Sequence, residues 1–191
     1  MVLAGGRSQR FGSDKLAAPD RGAPLLRRAV TGLAAVCGEV VVVLGPAGPE
    51  PPFLDGLLVR FARDDVEGEG PLAGLRAGLE VVRTDLAIAA AGDMPDLSEP
   101  VLRLMLRTAE EEPADAVVLQ DGERWRPVPC ALRTRIVRTE AGAAFEAGER
   151  SLRGLLERVG VLVVEEIAWR PLDPAGATLR DVDVPADLDP G

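Results

Sequence analysis

The sequence contains no histidine, no tyrosine and no asparagine among its 191 residues. Without histidine it cannot form Ser–His or Cys–His nucleophile pairs or histidine-ligated zinc sites. Any chemistry must therefore use carboxylates, arginine, lysine, hydroxyl groups, backbone groups and a hard metal ion. Phosphoryl transfer is a reaction class that these groups serve, because it depends on charge neutralisation and alignment more than on a protein nucleophile.

Cysteine and long apolar runs are equally scarce. Cys37 and Cys130 are the only cysteines, and their distant positions predict two buried thiols rather than a disulfide or a metal pair. No apolar run approaches the ~20 residues of a membrane helix, and no basic segment followed by an apolar stretch opens the sequence. We therefore expect a cytoplasmic protein without a signal peptide or a membrane partner.

Lysine occurs once, at Lys15, although the sequence holds 22 basic residues. Lysine differs from arginine in presenting a compact point charge that reaches a phosphate without the bulk of the guanidinium. The position of this one lysine beside a glycine pair predicts a functional role.

Charge is unevenly distributed along the sequence, whose formal net charge is -9. An acidic protein lacks the basic surface that nucleic acids require, so we expect no nucleic-acid partner. Residues 1–33 nevertheless carry six basic side chains against two acidic ones. A basic start on an acidic body predicts a small polyanion bound at one place.

Apolar strand-like runs alternate with amphipathic helical stretches. Such an order, with strands apolar on both faces, predicts an α/β fold: a Rossmann-like, mostly parallel sheet flanked by helices in a single domain. We expect residues 1–120 to form a nucleotide-binding half and residues 121–191 a smaller, acceptor-binding half. The predicted strands are 2–3, 39–44, 57–62, 86–91, 114–119, 128–132 and 161–164, and the predicted helices 24–36, 71–82, 98–112 and 151–159.

Three candidate groups follow predicted strands: the glycine turn, Asp64 (or Asp65) and Asp93. In parallel sheets ligands bind beyond the carboxyl ends of the strands, where these groups meet. A carboxylate just past an apolar strand suits Mg²⁺, which uses one or two carboxylates plus substrate phosphates. The sequence therefore predicts Asp93 as a magnesium ligand, with a turn aspartate as the alternative.

The N-terminal string runs Leu3-Ala4-Gly5-Gly6-Arg7-Ser8-Gln9-Arg10-Phe11-Gly12-Ser13-Asp14-Lys15. A glycine turn lets the backbone approach phosphates, and Arg7, Arg10 and Lys15 can balance a triphosphate's charge. The string lacks both the Walker A order and the G-x-G-x-x-G spacing, which disfavours a P-loop NTPase and an ordinary dehydrogenase.

This string resembles the L-A-G-G-x-S-x-R-x-G-x-D-K signature of the molybdenum cofactor guanylyltransferases. Later segments are similar to the family's G-P-L-A-G, G-D-x-P, D-G-x-x-x-P, G-x-R-x-[LV] and D-V-D-T-P motifs, with Val184 at the threonine position. These segments are residues 70–75, 92–95, 121–127, 148–152 and 181–185.

The resemblance implies transfer of GMP from GTP to molybdopterin, with release of pyrophosphate and with Mg²⁺ as cofactor. It implies nucleotide contacts at Leu3, Ala4, Gly5, Gly6, Arg7, Lys15, Asp64 and Asp93, and catalytic roles for Lys15, Asp93 and Arg10. Cytidylyltransferases acting on the same cofactor carry alanine at the Gly5 position, which favours guanine here. Proteins of the cofactor pathway are candidate partners.

Several alternatives stay open. Asp183 is either a second metal ligand or a loop residue that caps the last helix. Trp125, expected in a loop, stacks on the pterin or packs against the loop; Arg150 and Arg153 face the acceptor or, as we favour, form a solvated helix face. The rival functions are a CTP- or UTP-dependent transferase acting on molybdopterin or on a sugar or polyol phosphate, and a nucleotide-binding regulatory domain without turnover.

Overall fold

The computed structural model describes residues 1–5, 14–47, 49–64 and 68–191. A seven-stranded sheet forms the centre of the fold. Strands β2 and β3 form a separate antiparallel hairpin. In chain order the strands are β1 (Val2–Leu3), β2 (Pro19–Asp20), β3 (Ala23–Pro24), β4 (Val40–Leu44), β5 (Val59–Arg63), β6 (Leu86–Ala91), β7 (Ala116–Asp121), β8 (Arg124–Arg133) and β9 (Val161–Val164).

The strands of the large sheet lie in the order β5-β4-β1-β6-β8-β7-β9. Strand β1 pairs in parallel with β4 and β6, β4 pairs in parallel with β5, and β7 pairs in parallel with β9. Only β8 is reversed among these strands, because it pairs antiparallel with both β6 and β7. The predicted fold class, a mostly parallel sheet, is confirmed.

Helices cover both faces of the sheet. Strand β4 shows why: all five of its residues are buried, and alternate residues enter two different cores. Val40 and Val42 pack in the core under α1 and α3, whereas Val41 and Val43 pack in the core under α2, α4 and α5. The helices are α1 (Leu25–Ala34), α2 (Pro71–Val81), α3 (Glu99–Glu111), α4 (Thr134–Glu146), α5 (Leu152–Leu156) and α6 (Glu166–Trp169).

The second half of the chain departs most from the sequence-based expectation. Strand β8 begins at Arg124, so Trp125 and Arg126 lie in a strand and the predicted loop is wrong. Helix α4 was not predicted because its buried face consists largely of small residues such as Ala141 and Ala144, which give a weak apolar pattern. The sheet continues across residues 120–121, and the proposed division into two functional halves stays a prediction.

After α6 the chain continues through three short 3₁₀ turns, Arg170–Leu172, Ala177–Leu179 and Pro185–Asp187. We call residues 180–189 the C-terminal strap. Arg180 anchors it: its guanidinium donates to Asp20 Oδ1 and to Asp96 Oδ2, both at 2.8 Å. Asp20 is fully buried on the β2–β3 hairpin, so this ion pair attaches the strap to that hairpin, near the N-terminal end of the chain.

Two further expectations concern membranes and thiols. Among the described residues, the structure has no helix with the length and apolar character required to cross a membrane. Cys130 is buried, as predicted, and burial raises its pKa to about 12. Cys37 is only partly buried, which corrects the expectation of two buried thiols.

Candidate functional site

The loops after β1, β4, β5 and β6 leave the sheet at one edge, because these strands run parallel. Backbone hydrogen bonds continue just past the strand ends and hold the loops together. Ala4 N donates to Val43 O at 2.8 Å, and Gly92 N donates to Leu3 O at 2.9 Å. Asp64 N donates to Leu44 O at 2.9 Å. Gly5, Asp64 and Asp93 therefore meet at the predicted edge.

A cleft of about 690 Å³ opens at this edge. Its walls include the predicted nucleotide contacts Leu3, Ala4, Gly5 and Asp64. Apart from Asp14 and Asp64, its described walls are glycine, proline and aliphatic or aromatic residues. They are Leu16, Leu26, Val43, Leu44, Gly45, Pro46, Ala47, Pro49, Pro51, Pro52, Phe53, Gly68, Gly70, Pro71 and Gly74.

Three charged side chains meet beside this cleft, and we call them the lysine–aspartate cluster: Lys15, Asp93 and Asp183. Lys15 Nζ lies 2.8 Å from Asp93 Oδ2 and 3.4 Å from Asp183 Oδ1. Lys15 begins a short 3₁₀ turn whose next residue, Leu16, lines the cleft. Asp93 follows Gly92, whose N–H bonds to Leu3 in the cleft wall. The cluster therefore adjoins the cleft through Leu16 and Leu3.

Partial burial shapes the electrostatics of the cluster. The Lys15 side chain is 12% exposed and that of Asp93 25%, while that of Asp183 is 64% exposed. Burial alone would lower the pKa of Lys15, but the hydrogen bond and charge of Asp93, followed by Asp183, outweigh burial and raise this pKa. Lys15 is therefore a firmly charged ammonium.

Asp93 keeps one oxygen for a further ligand. Its Oδ2 accepts from Lys15, whereas its buried Oδ1 has no hydrogen-bond partner within the described ranges. A buried carboxylate oxygen without a partner is costly unless an ion, a water molecule or a substrate group completes it.

The oxygen donors present suit a metal that shares its ligands with a substrate. In the part of the chain that the structure describes, no group of three or more acidic or cysteine side chains could hold a metal by itself. Asp93 and Asp183 nevertheless converge on Lys15 Nζ, and magnesium commonly takes one or two carboxylates together with substrate phosphates. The residues therefore fit a magnesium ion that binds with a nucleotide.

The C-terminal strap brings Asp183 to the cluster. Val182 is fully buried, and its N–H donates to Asp93 O at 3.1 Å. Asp187 then accepts the N–H groups of Asp183 and Val184, both at 2.9 Å. Asp183 does not cap the following turn, so that alternative is wrong; Asp187 accepts these bonds instead. The roles of Asp187 and Arg180 were not predicted from the sequence, because a tail without strands or α-helices has no periodic pattern that indicates its course.

Two predicted motif segments contact each other where Gly70 borders the cleft. Gly70 has a φ of 84°, and Leu72 N donates to Arg150 O at 3.1 Å. The Arg150 guanidinium pairs with Glu69 and lies 4.0 Å over the Phe145 ring. The favoured assignment of Arg150 to a solvated helix face is wrong, because this residue fixes the start of α2.

Arg153 likewise packs against the protein. Its guanidinium lies 4.0 Å over the Trp125 ring, and Nη2 donates to Trp125 O at 2.6 Å. A cation over an aromatic face is an attractive contact, and it covers one face of the indole. The assignment of Arg153 to a solvated face is therefore also wrong. Trp125 packs against Arg153 with one face, and its stacking on a pterin stays a prediction. The remaining predicted site residues, Gly6, Arg7 and Arg10, and the alternative Asp65 lie outside the described residues.

Comparison with known proteins places this site in a family. Residues 1–162 match the family model of the MobA-like NTP transferase domain. The chain belongs to this family. A probable molybdenum cofactor guanylyltransferase of Natronomonas pharaonis is 31% identical, with 99% of this chain and 94% of the relative aligned. A relative of the same description from Mycobacterium avium is 36% identical, with 98% and 91% aligned.

A solved structure supports the same architecture. Molybdopterin-guanine dinucleotide biosynthesis protein A from Archaeoglobus fulgidus superposes with a TM-score of 0.77 at 22% identity, covering 97% of this chain and 92% of that one. At this identity the likeness establishes the fold alone. The family, however, is one of NTP transferases, so the predicted enzyme class, a nucleotidyltransferase, is confirmed.

Proposed function

We propose that this enzyme transfers the guanylyl group of GTP to a molybdopterin cofactor and releases pyrophosphate. A terminal phosphate oxygen of the acceptor attacks the α-phosphorus of GTP. The bond from that phosphorus to the bridging β-phosphate oxygen breaks, and pyrophosphate leaves. The two aligned relatives, both described as probable molybdenum cofactor guanylyltransferases, support this assignment.

The observation that carries the proposal is the contact of Lys15 with Asp93, 2.8 Å apart beside a cleft walled largely by glycine, proline and apolar residues. A triphosphate needs concentrated positive charge, and its α-phosphate must be held in line for displacement. Lys15 supplies a positive charge beside the cleft. Arg7 and Arg10 belong to the same predicted phosphate-binding string and stay predictions.

Magnesium is part of the proposal. Asp93, with its unpartnered Oδ1, and Asp183 are the residues that would hold it. When bound, the ion would polarise the phosphates as a Lewis acid and align the displacement. The protein's own contribution is to present the two carboxylates from a strand end and from the strap, whose backbones join where Val182 N bonds to Asp93 O.

The cleft is proposed to receive the guanosine. Leu3, Ala4 and Gly5 border it, and Asp64 lies on its wall at the end of β5. Guanine presents N–H donors that backbone carbonyls can accept, so a wall of exposed backbone suits this base. A Cβ added at Gly5 would lie 3.7 Å from Gly45 N, an ordinary contact. The protein itself would therefore accept alanine at Gly5.

The test is to mix the enzyme with GTP, MgCl₂ and molybdopterin and to measure released pyrophosphate together with the mass of the dinucleotide product. We expect one pyrophosphate per molybdopterin-guanine dinucleotide, and none without acceptor. Absence of product with GTP, while CTP or UTP or a polyol phosphate supports turnover, would contradict the proposal. Nucleotide binding with no turnover on any acceptor would favour a regulatory role.

A further inference from the structure

In the lysine–aspartate cluster one ammonium holds two carboxylates. Lys15 is the only residue in contact with both Asp93 and Asp183 among the ion pairs of the described residues. Asp93 and Asp183 come from segments 90 positions apart in the sequence, and they approach each other at this ammonium. The cluster has a formal charge of minus one, so Lys15 neutralises one carboxylate but not both.

A divalent cation placed in this cluster would compete with Lys15. The ammonium engages Asp93 Oδ2 and Asp183 Oδ1, which are two of the oxygens that such an ion would need. A dication within contact distance of the ammonium would also meet a like charge in a partly buried setting, where screening by water is weak. The remaining oxygen, Asp93 Oδ1, offers a single protein ligand and is too little for a well-coordinated magnesium ion.

A bound triphosphate removes this conflict. Its oxygens offer the ammonium a new partner, and its negative charges allow two cations to lie side by side. The lysine side chain has a flexible four-carbon stem, so its ammonium can follow a phosphate without any backbone movement. The carboxylates it leaves are then available, while the strap contact of Val182 with Asp93 O keeps them together.

We propose that Lys15 acts as a stand-in for the metal in the nucleotide-free enzyme. It holds Asp93 and Asp183 together and excludes divalent cations until a triphosphate draws its ammonium away. Metal binding therefore depends on nucleotide. This inference rests on the proposed function, because it assumes that a triphosphate enters the adjoining cleft.

Manganese binding to the nucleotide-free protein tests the proposal, with free Mn²⁺ measured by electron paramagnetic resonance. We expect Lys15→Met to bind Mn²⁺ about tenfold more tightly than the wild type, since removal of the ammonium frees two carboxylates. Lys15→Gln serves as a second neutral variant if the Met variant misfolds. Lys15→Arg keeps the positive charge and should resemble the wild type. Adding Asp183→Asn to Lys15→Met should abolish the gain.

Equal Mn²⁺ affinity of the wild type and both neutral variants would overturn the stand-in role. The proposed function is checked separately by calorimetric titration of GTP into the wild type. Tight GTP binding together with equal Mn²⁺ affinities of the wild type and the neutral variants would support the proposed function and contradict only the inference about Lys15. Failure of the wild type to bind GTP would remove the proposed function and the inference with it.

Discussion

The cleft at the end of β1 is walled mainly by glycine, proline and apolar side chains, whereas the adjoining cluster is built from three charged side chains, those of Lys15, Asp93 and Asp183. The cleft depends on where the backbone runs. The cluster depends on where side chains from distant parts of the sequence converge. A ligand with an uncharged ring system at one end and several negative charges at the other matches this division.

The difference separates what a substitution should damage. In the cleft, a change that alters shape or backbone conformation should act on nucleotide fit or on folding. In the cluster and the strap, a change that removes charge should act on catalysis or on the attachment of the strap. Each of the following substitutions probes one side of this comparison.

Asp93→Asn should have the largest effect on activity. The amide keeps the size of the side chain but removes the charge, so kcat/KM should fall by about 10²–10³-fold, as for loss of one preorganised electrostatic group. Steady-state kinetics with GTP and acceptor would measure this. Glu123→Gln, an exposed carboxylate in the β7–β8 turn, is the control and should keep normal activity. Near-normal turnover of Asp93→Asn would end its assigned role.

Arg180→Met should have the largest effect on stability, at about 3 kcal/mol at neutral pH, because it leaves the buried Asp20 without its main partner. Arg28, 3.4 Å from Asp20, moderates the loss. Burial alone would raise the pKa of Asp20, but the Arg180 hydrogen bond and other partners outweigh burial and lower it. Urea unfolding of both proteins would measure the difference.

The pH dependence of that difference has a definite sign. Because the pKa of Asp20 is lowered in the native state, its charged form stabilises that state at pH values above the unfolded-state pKa of about 3.9. This stabilisation is lost as pH falls from that value through the lowered pKa. The difference in the free energy of unfolding between wild type and Arg180→Met should therefore shrink as pH falls from neutral towards pH 3, because protonated Asp20 no longer needs a charged partner. Glu99→Gln, in an exposed pair with Arg103, should change stability by less than about 1 kcal/mol. A gap that is constant from pH 7 to pH 3 would refute the role of Asp20.

Substitution by alanine should have different effects at two glycines of the cleft. At Gly70 the φ is 84° and an added Cβ would lie 2.7 Å from Arg150 O, so Gly70→Ala should lose about 1–3 kcal/mol of stability. At Gly5 the same methyl meets only ordinary contacts, so Gly5→Ala should fold normally and weaken GTP binding. Urea unfolding and calorimetry would separate these effects. Equal stability losses would contradict the distinction.

Asp187 should give the smallest effect. Asp187→Ala removes the acceptor that orients Asp183, and the magnesium concentration for half-maximal activity should rise a few-fold. Asp187→Asn retains an oxygen that can accept both N–H groups and should restore most of the wild-type value. Magnesium titrations of activity would compare them. An Asn variant as impaired as the Ala variant would show that charge, rather than positioning, is at work.

The sequence predicts the cleft side of the site well because its signals are local. A run of apolar residues such as Leu86–Ala91 predicts a buried parallel strand, and this strand has the same bounds in the structure. Parallel strands then oblige the loops behind them to share one edge. The sequence alone therefore predicts that Gly5, Asp64 and Asp93 lie together at that edge.

The strap side resisted prediction because its order comes from tertiary contacts. Residues 180–189 form no strand or α-helix, and their course is set by the buried pair of Arg180 with Asp20 and by hydrogen bonds to Asp187. Arg150 was misassigned for a similar reason: its partners Glu69 and Phe145 are close in space and not marked by any periodicity. Charge pairs of this kind leave no pattern in one sequence.

Binding of nucleoside triphosphates tests the central claim most directly. The melting temperature would be measured with GTP, CTP and UTP, each with MgCl₂, for the wild type and for Lys15→Met. At a hundredfold excess over Kd, GTP should raise the melting temperature of the wild type by on the order of 5 °C or more, CTP and UTP should raise it less, and Lys15→Met should lose most of the GTP shift. Equal shifts with all three nucleotides, a preference for CTP, or an undiminished GTP shift in Lys15→Met would contradict the account.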